Sequence, residues 1–121
     1  MVREDALAAR VRAWIRAHLR HADLALCART FGMSTRTIQR RLGVAGKSFR
    51  EIVAAERVAA ARSMLVRAGT SIDAVAYAVG CSSSSQLGVL LRRAGYPSPS
   101  ALRADSARSG SSTEESSHRL H

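Results

Sequence analysis

Apolar residues along this chain recur three and four positions apart, the spacing of one face of an α-helix, and the runs stop at glycines. In the first run Ala6, Leu7, Val11, Trp14, Ile15 and Leu19 share a stripe, with Arg10, Arg12, Arg16 and Arg20 on its flanks. That pattern predicts a helix over 4–20, with Trp14 as a core anchor. A short connection over 21–23 follows, and Asp23 can cap a second helix starting near Leu24. Leu24, Cys27, Ala28 and Phe31 lie on one face of it, and Gly32 suits the left-handed backbone that ends a helix. Ser34 then offers a hydroxyl to cap a third helix. Ile38 and Leu42 lie one turn apart in that helix and point inward. This turns Arg36, Gln39 and Arg40 outward and leaves Arg41 at the edge.

Gly43 and Gly46 close the third helix, and Ser48 followed by Glu51 has the capping-box spacing. A long helix over about 49–67 is predicted next. Its inner face is Phe49, Ile52, Val53, Glu56, Val58, Ala61, Met64 and Leu65, and the Ala-rich stretch 54–61 permits close helix approach. Gly69 ends it. Such a helix spans about 28 Å at about 1.5 Å per residue, enough to hold two small units at a fixed separation. Beyond it the earlier pattern returns. Thr70 or Ser71 caps, and Ile72, Val75, Ala76, Val79 and Gly80 repeat Leu24, Cys27, Ala28, Phe31 and Gly32 at one constant offset. With one residue inserted, Leu87 and Leu91 then repeat Ile38 and Leu42. The chain therefore contains one supersecondary unit twice, a helix-turn-helix in tandem. Gly95, Pro97 and Pro99 mark the end of helical order, with room for a short turn at 100–104. Residues 105–121 are Ser-rich and polar, and read as a disordered tail in which Glu114 and Glu115 are solvated.

Composition adds two constraints. Apolar residues make up 46% but aromatics only 4%, so the core must be built from Leu, Val, Ile and Ala in closely packed helices. Nineteen basic residues face nine acidic ones, and eighteen of the nineteen are Arg. Residues 1–104 carry seventeen of the bases and six of the acids, a balance of +11. A unit so basic is suited to a polyanion, nucleic acid first and a membrane surface second. No apolar run approaches the roughly 20 residues of a spanning helix, and no signal-peptide pattern opens the chain, so a cytoplasmic location is expected. Cys27 and Cys81 are the only cysteines, each at an apolar position beside a turn, and read as buried reduced thiols. His18, His21, His118 and His121 do not combine with them into ligand spacing, so no metal and no cofactor is expected. Arg and Gln, the outward residue types of the third helix, make bidentate contacts to guanine and adenine edges in the major groove. The plain alternative for such a face is a solvated basic surface.

The chain resembles the DNA-binding domain of the AraC/XylS family of bacterial transcription regulators over about residues 6–103. The likeness rests on Ala28, Gly32, Met33 and Ser34 in the first turn, then Ile38, Leu42, Gly46, Ser48 and Phe49. It continues through Arg57, Ala61 and Leu65, then Ile72, Ala76, Gly80 and Ser82, and ends at Ser98 and Pro99. The resemblance implies an all-α fold of about seven helices in two homeodomain-like helix-turn-helix subdomains, 4–48 and 69–104. The linker helix, 49–68, joins them, and the tail is 105–121. It also implies a monomer on an asymmetric promoter site, with two recognition helices in successive major grooves about 34 Å apart. Base-reading positions carried over by the resemblance fall on Arg36, Gln39 and Arg40, and in the second unit on the face of Ser84, Ser85, Gly88 and Val89. Thr35, Arg41 and Lys47, with Ser83, Arg92 and Arg93, are candidates for phosphate contacts.

The sequence departs from the family at several points of the second unit. The family usually has a bulky aromatic where Cys81 stands, aromatics at Leu87 and Leu91, and often a polar or basic residue at Val89. Tyr96 takes the place of its terminal glycine, with Gly95 one position early. Gly88 is a poor helix residue, and neither Gly88 nor Val89 can donate a side-chain hydrogen bond. Unequal halves are therefore expected: the first specifies and the second holds. The favoured function is a sequence-specific regulator that binds promoter DNA and contacts RNA polymerase. The alternative is an interaction protein or antagonist that keeps the fold but binds DNA weakly or nonspecifically. No effector-binding or dimerisation domain is evident, so the protein either works alone, controlled by its abundance, or is a shortened relative. No enzyme is expected, since there is no Gly-rich phosphate loop, metal-ligand set or nucleophile with a base. Ser82 to Ser85 read as turn and capping chemistry.

Overall fold

Among the described residues seven helices form, six of them where the apolar stripes predict them, and their ends are set by side chains as much as by glycines. The computed structural model describes residues 2–67 and 69–105. In order these are α1 (Val2–Ala17), a 3-10 turn (Leu19–His21), α2 (Leu24–Thr30), α3 (Thr35–Val44), α4 (Phe49–Leu65), α5 (Ile72–Ala78), α6 (Ser84–Arg93) and α7 (99–105). Helix and turn are the only regular structure among the described residues. The expected tail lies, from residue 106 onward, outside them.

Local chemistry explains the boundaries. Asp23, Ser34, Ser48, Ser71 and Ser83 each hold extended backbone angles, and each accepts a hydrogen bond from an amide of the first helical turn that follows. At the far end of α2, Gly32 takes φ +65° and donates to the Arg29 carbonyl, while Met33 donates to Ala28. That pair of bonds satisfies two carbonyls the helix would otherwise leave open. The same two bonds recur at the end of α5, from Gly80 to Tyr77 and from Cys81 to Ala76. The duplication read from side chains is thus a duplication of backbone geometry.

It extends further than the sequence pattern showed. Two clusters of buried residues form the interior. In the first, Ala8, Val11 and Ile15 of α1 cover α2 and α3; in the second, Val58, Ala61 and Leu65 of α4 cover α5 and α6 with the same spacing. Phe49 and Ile52 close the first cluster, and Pro99 and Leu102 stand at the matching places of the second. Hence α4 does two jobs. Its first half is the last helix of unit one, and its second half is the first helix of unit two.

Three expectations are corrected. Residues 4–20 are not one helix: α1 stops at Ala17, and Leu19 enters the 3-10 turn with its carbonyl directed at α4. His18 follows the end of α1, its ring stacked on Trp14 at 4.3 Å and its Nδ1 donating to the Trp14 carbonyl at 2.7 Å. Ala6 is exposed and Met64 half-buried, so each sits at the margin of its stripe rather than in the core. Pro99 does not end helical order but begins α7 at the position where a missing N–H costs nothing, and Ser98 caps it by accepting from Ala101.

The two units are held by a joint that includes α4. Arg57 donates from Nε and Nη2 to the Leu19 carbonyl at 3.3 and 3.0 Å. The Leu19 side chain packs against both buried clusters. Arg20 lies over the Tyr77 ring, 3.3 Å from its centroid, and donates to the Tyr77 carbonyl at 3.2 Å. Gly80 passes so close that a β-carbon there would collide with the Leu19 carbonyl oxygen and the Arg57 guanidinium.

Cys27 is fully buried in the first cluster, and burial pushes its thiol up to about 11 from 9.0. Cys81 is half-buried and is also raised by burial, with Arg57 opposing the shift. A raised thiol pKa stabilises the fold fully below the unfolded value and loses that contribution as pH rises. Stability of the wild type should therefore decline from about pH 9 to 11. Cys27→Ala should be less stable at neutral pH but show a shallower decline, measured by urea unfolding at pH 8 and 10. Parallel declines would mean the thiol is not the group responsible.

Candidate nucleic-acid interface

The outward face of α3 is fixed by what α3 buries. Ile38 and Leu42 are fully buried, so the helix cannot rotate without exposing them. The N-terminus is pinned as well: Ser34 Oγ accepts from the Thr37 amide at 3.0 Å and donates to Thr37 Oγ1 at 2.9 Å. Arg36, Gln39 and Arg40 are consequently exposed, with Arg36 and Arg40 one turn apart. Among the described residues no hydrogen bond or ion pair engages these three side chains. Thr35 is exposed at the first position of the helix, and Lys47 is exposed in the loop beyond its end. Arg41 is half-buried and turned sideways, its Nη1 3.9 Å from the Met33 sulfur.

In α6 the equivalent rotation is fixed by Leu87 and Leu91, both fully buried. Ser83 caps the helix by accepting from the Gln86 amide at 3.1 Å. Gln86 in turn takes hydrogen bonds from the amide and hydroxyl of Ser82 at 2.7 and 3.0 Å. Ser85 and Val89 occupy the places of Arg36 and Arg40 and are exposed. Ser84 and Gly88 are half-buried on the flank facing α7, where a β-carbon at Gly88 would meet Pro99 Cδ at 3.8 Å. Arg92 and Arg93 are exposed in the last turn. The outward face of α3 thus offers two guanidiniums and an amide, while that of α6 offers hydroxyls and an isopropyl group, with cations only at its end.

Several residues were not among the sequence candidates. Val44 continues the Arg36–Arg40 face and is 72% exposed, a position an apolar residue takes without joining the core. Its signal was its place off the Ile38–Leu42 stripe. Glu56 is a buried carboxylate: Arg16 Nε donates to Oε1 at 2.9 Å, and Arg12 Nε lies 3.6 Å from Oε2. A charged residue on the inner face of the long helix was the sign that basic partners would come from elsewhere. Arg20 and Tyr77 meet across 57 residues and left no local sign. Among the described residues, no group of three or more His, Cys, Asp or Glu side chains could hold a metal ion, and no helix is long and apolar enough to cross a membrane.

Two helix-turn-helix units in tandem, sharing one long helix, define a double helix-turn-helix protein. A helix-turn-helix domain family profile matches residues 27–105. The chain belongs to the AraC/XylS family of DNA-binding transcription regulators. Its fold is similar to the crystal structure of a DNA-binding transcriptional dual regulator from Escherichia coli K-12. That match has a TM-score of 0.80 and 25% identity, covering 84% of this chain and 93% of that one. It is also similar to the DNA-binding domain of AdpA, a global transcriptional factor solved in complex with a target DNA. There the TM-score is 0.71 and the identity 33%, with 81% of this chain and 90% of that one covered. Among curated proteins, none matches.

Proposed function

We propose that the protein binds promoter DNA sequence-specifically as a monomer, with α3 reading bases and α6 mainly holding the duplex. In this reading an exposed surface contacts RNA polymerase, and two subdomains (4–48 and 69–104) act through the linker helix. The observation that carries it is the inequality of the two outward faces. Arg36, Gln39 and Arg40 are free to form bidentate bonds with base edges. On α6, Ser84 and Ser85 have only hydroxyls, and Val89 can touch a thymine methyl group. Ser83, Arg92 and Arg93, with Thr35, Arg41 and Lys47 on the first unit, supply phosphate contacts.

Selection of bound duplexes from a random-sequence pool tests this directly, with affinities then compared at two salt concentrations. A well-defined cluster of bases beside a degenerate one, one helical turn away, supports the reading. Enrichment of nothing, with binding that only fades as salt rises, would replace it with a nonspecific binder or an antagonist.

A single substitution tests whether α6 lies in a groove. Val89→Arg is expected to raise affinity and to steepen the dependence of log K on log salt by about 0.9 for one added phosphate contact. Val89 is the position to use, because a side chain at Gly88 would be directed at Pro99. An unchanged affinity and slope would mean that α6 does not dock.

A further inference from the structure

The joint between the units contains three side chains that neither core requires. Tyr77 is 62% exposed, Arg20 is exposed, and Arg57, at the middle of the shared α4, spends both Nε and Nη2 on one carbonyl of the 3-10 turn. Together they clamp the 3-10 turn of unit one onto α4 and the end of α5. The turn is held at Leu19 by a two-pronged guanidinium bond and at Arg20 by stacking plus a hydrogen bond. Planar guanidinium groups are suited to such fixed geometry, and a lysine cannot reproduce it. The closeness of Gly80 to Leu19 and Arg57 leaves no slack on the third side. The continuous α4 fixes the distance between the units, while this clamp fixes their rotation about it.

Resting on the DNA-reading function above, we propose that Arg20, Arg57 and Tyr77 are positioning residues that determine which spacing between two base clusters the protein accepts. They do so without reading a base. Adding one base pair between the clusters carries the second cluster about 3.4 Å along and about 34° around the duplex, so that a fixed α6 faces different bases. A hinge between the units would absorb that change; a clamped joint converts it into lost affinity. Spacing specificity is thus stored in contacts within the protein, on residues outside both recognition helices.

The test uses the full chain and the site recovered from the random pool, with the spacer lengthened or shortened by one base pair. The wild type is expected to favour its own spacing by about threefold, the size set by the hydroxyl and Val89 contacts of α6 to the second cluster, and still a measurable difference in Kd. Arg57→Lys and Tyr77→Ala should each compress that ratio by weakening the altered spacings less, or even strengthening them, relative to the native one. Tyr77→Phe keeps the ring under Arg20 and should retain the wild-type ratio. Thermal unfolding of each variant confirms that the fold is intact, and the exposure of Tyr77 makes its variants the safer pair. Unchanged spacing preference in both Arg57→Lys and Tyr77→Ala would overturn the proposal. Equal weakening at every spacing would also overturn it, by making these residues DNA contacts. A wild type that yields no two-part site at all would instead remove the DNA-reading function on which the proposal stands.

Discussion

Gly80→Ala is expected to destabilise the fold by about 3–5 kcal/mol, whereas Gly32→Ala is expected to cost about 1–2 kcal/mol, although the two glycines hold the same place in the repeat. Both have positive φ, +65° at Gly32 and +92° at Gly80, so an L side chain strains the backbone at either site. The surroundings separate them. Nothing lies within 4 Å of a β-carbon built at Gly32. At Gly80 the same atom collides with the Leu19 carbonyl oxygen and comes within 2.9 Å of Arg57 Nη2. The guanidinium could swing aside, but the carbonyl belongs to backbone and cannot move alone. Any shift of Leu19 also breaks its hydrogen bonds from Arg57, and a bond to a charged group contributes about 1.5–3 kcal/mol. At about 4–8 °C per kcal/mol for a small domain, melting followed by circular dichroism should separate the variants by 10 °C or so. Equal losses in Tm would show that the Leu19 approach is soft and that the joint does not constrain the units.

That contrast also shows which parts of the structure could be read from the chain. Elements held by neighbours in sequence were legible. The Ile38–Leu42 pair sets the outward face of α3, and Ser34 three residues before Thr37 sets its start, because both interactions span one turn. Gly32 and Gly80 were legible as helix ends for the same reason. The second role of Gly80 was hidden, since it depends on Leu19 and Arg57 arriving from distant segments. The end of α1 at Ala17 has the same origin: the apolar stripe continues to Leu19, but that carbonyl is taken by a guanidinium 38 residues away. Pro99 misled for a different reason. Proline stops a helix from inside but suits its first position, and only the cap from Ser98 separates the two cases. At the interface, exposure of Arg36, Gln39 and Arg40 followed from period alone, while the turning of Gly88 toward α7 required knowing that α7 exists.

Arg40→Ala is expected to cost about 1–3 kcal/mol of binding to the selected site, roughly 5- to 150-fold in Kd, and to relax the preference at one base position. Arg40 is exposed and Leu42 carries the packing of that turn, so the fold should melt at the wild-type temperature. The loss would then belong to recognition alone. Arg40→Lys should recover little of it if the contact is bidentate, because an ammonium presents a point charge where the base edge asks for a fork. A phosphate contact behaves differently. It weakens binding to every sequence alike, lysine restores most of it, and the salt dependence falls by about one unit. Arg92→Ala, at the end of α6, is the natural companion and is expected to show that second pattern. If instead both substitutions weaken all duplexes equally, α3 holds the backbone as α6 does, and the inequality of the two faces has no counterpart in specificity. If Arg40→Ala loses selectivity while Arg92→Ala loses only affinity, the division of labour between the two recognition helices follows from the side chains that occupy equivalent positions of one repeated unit.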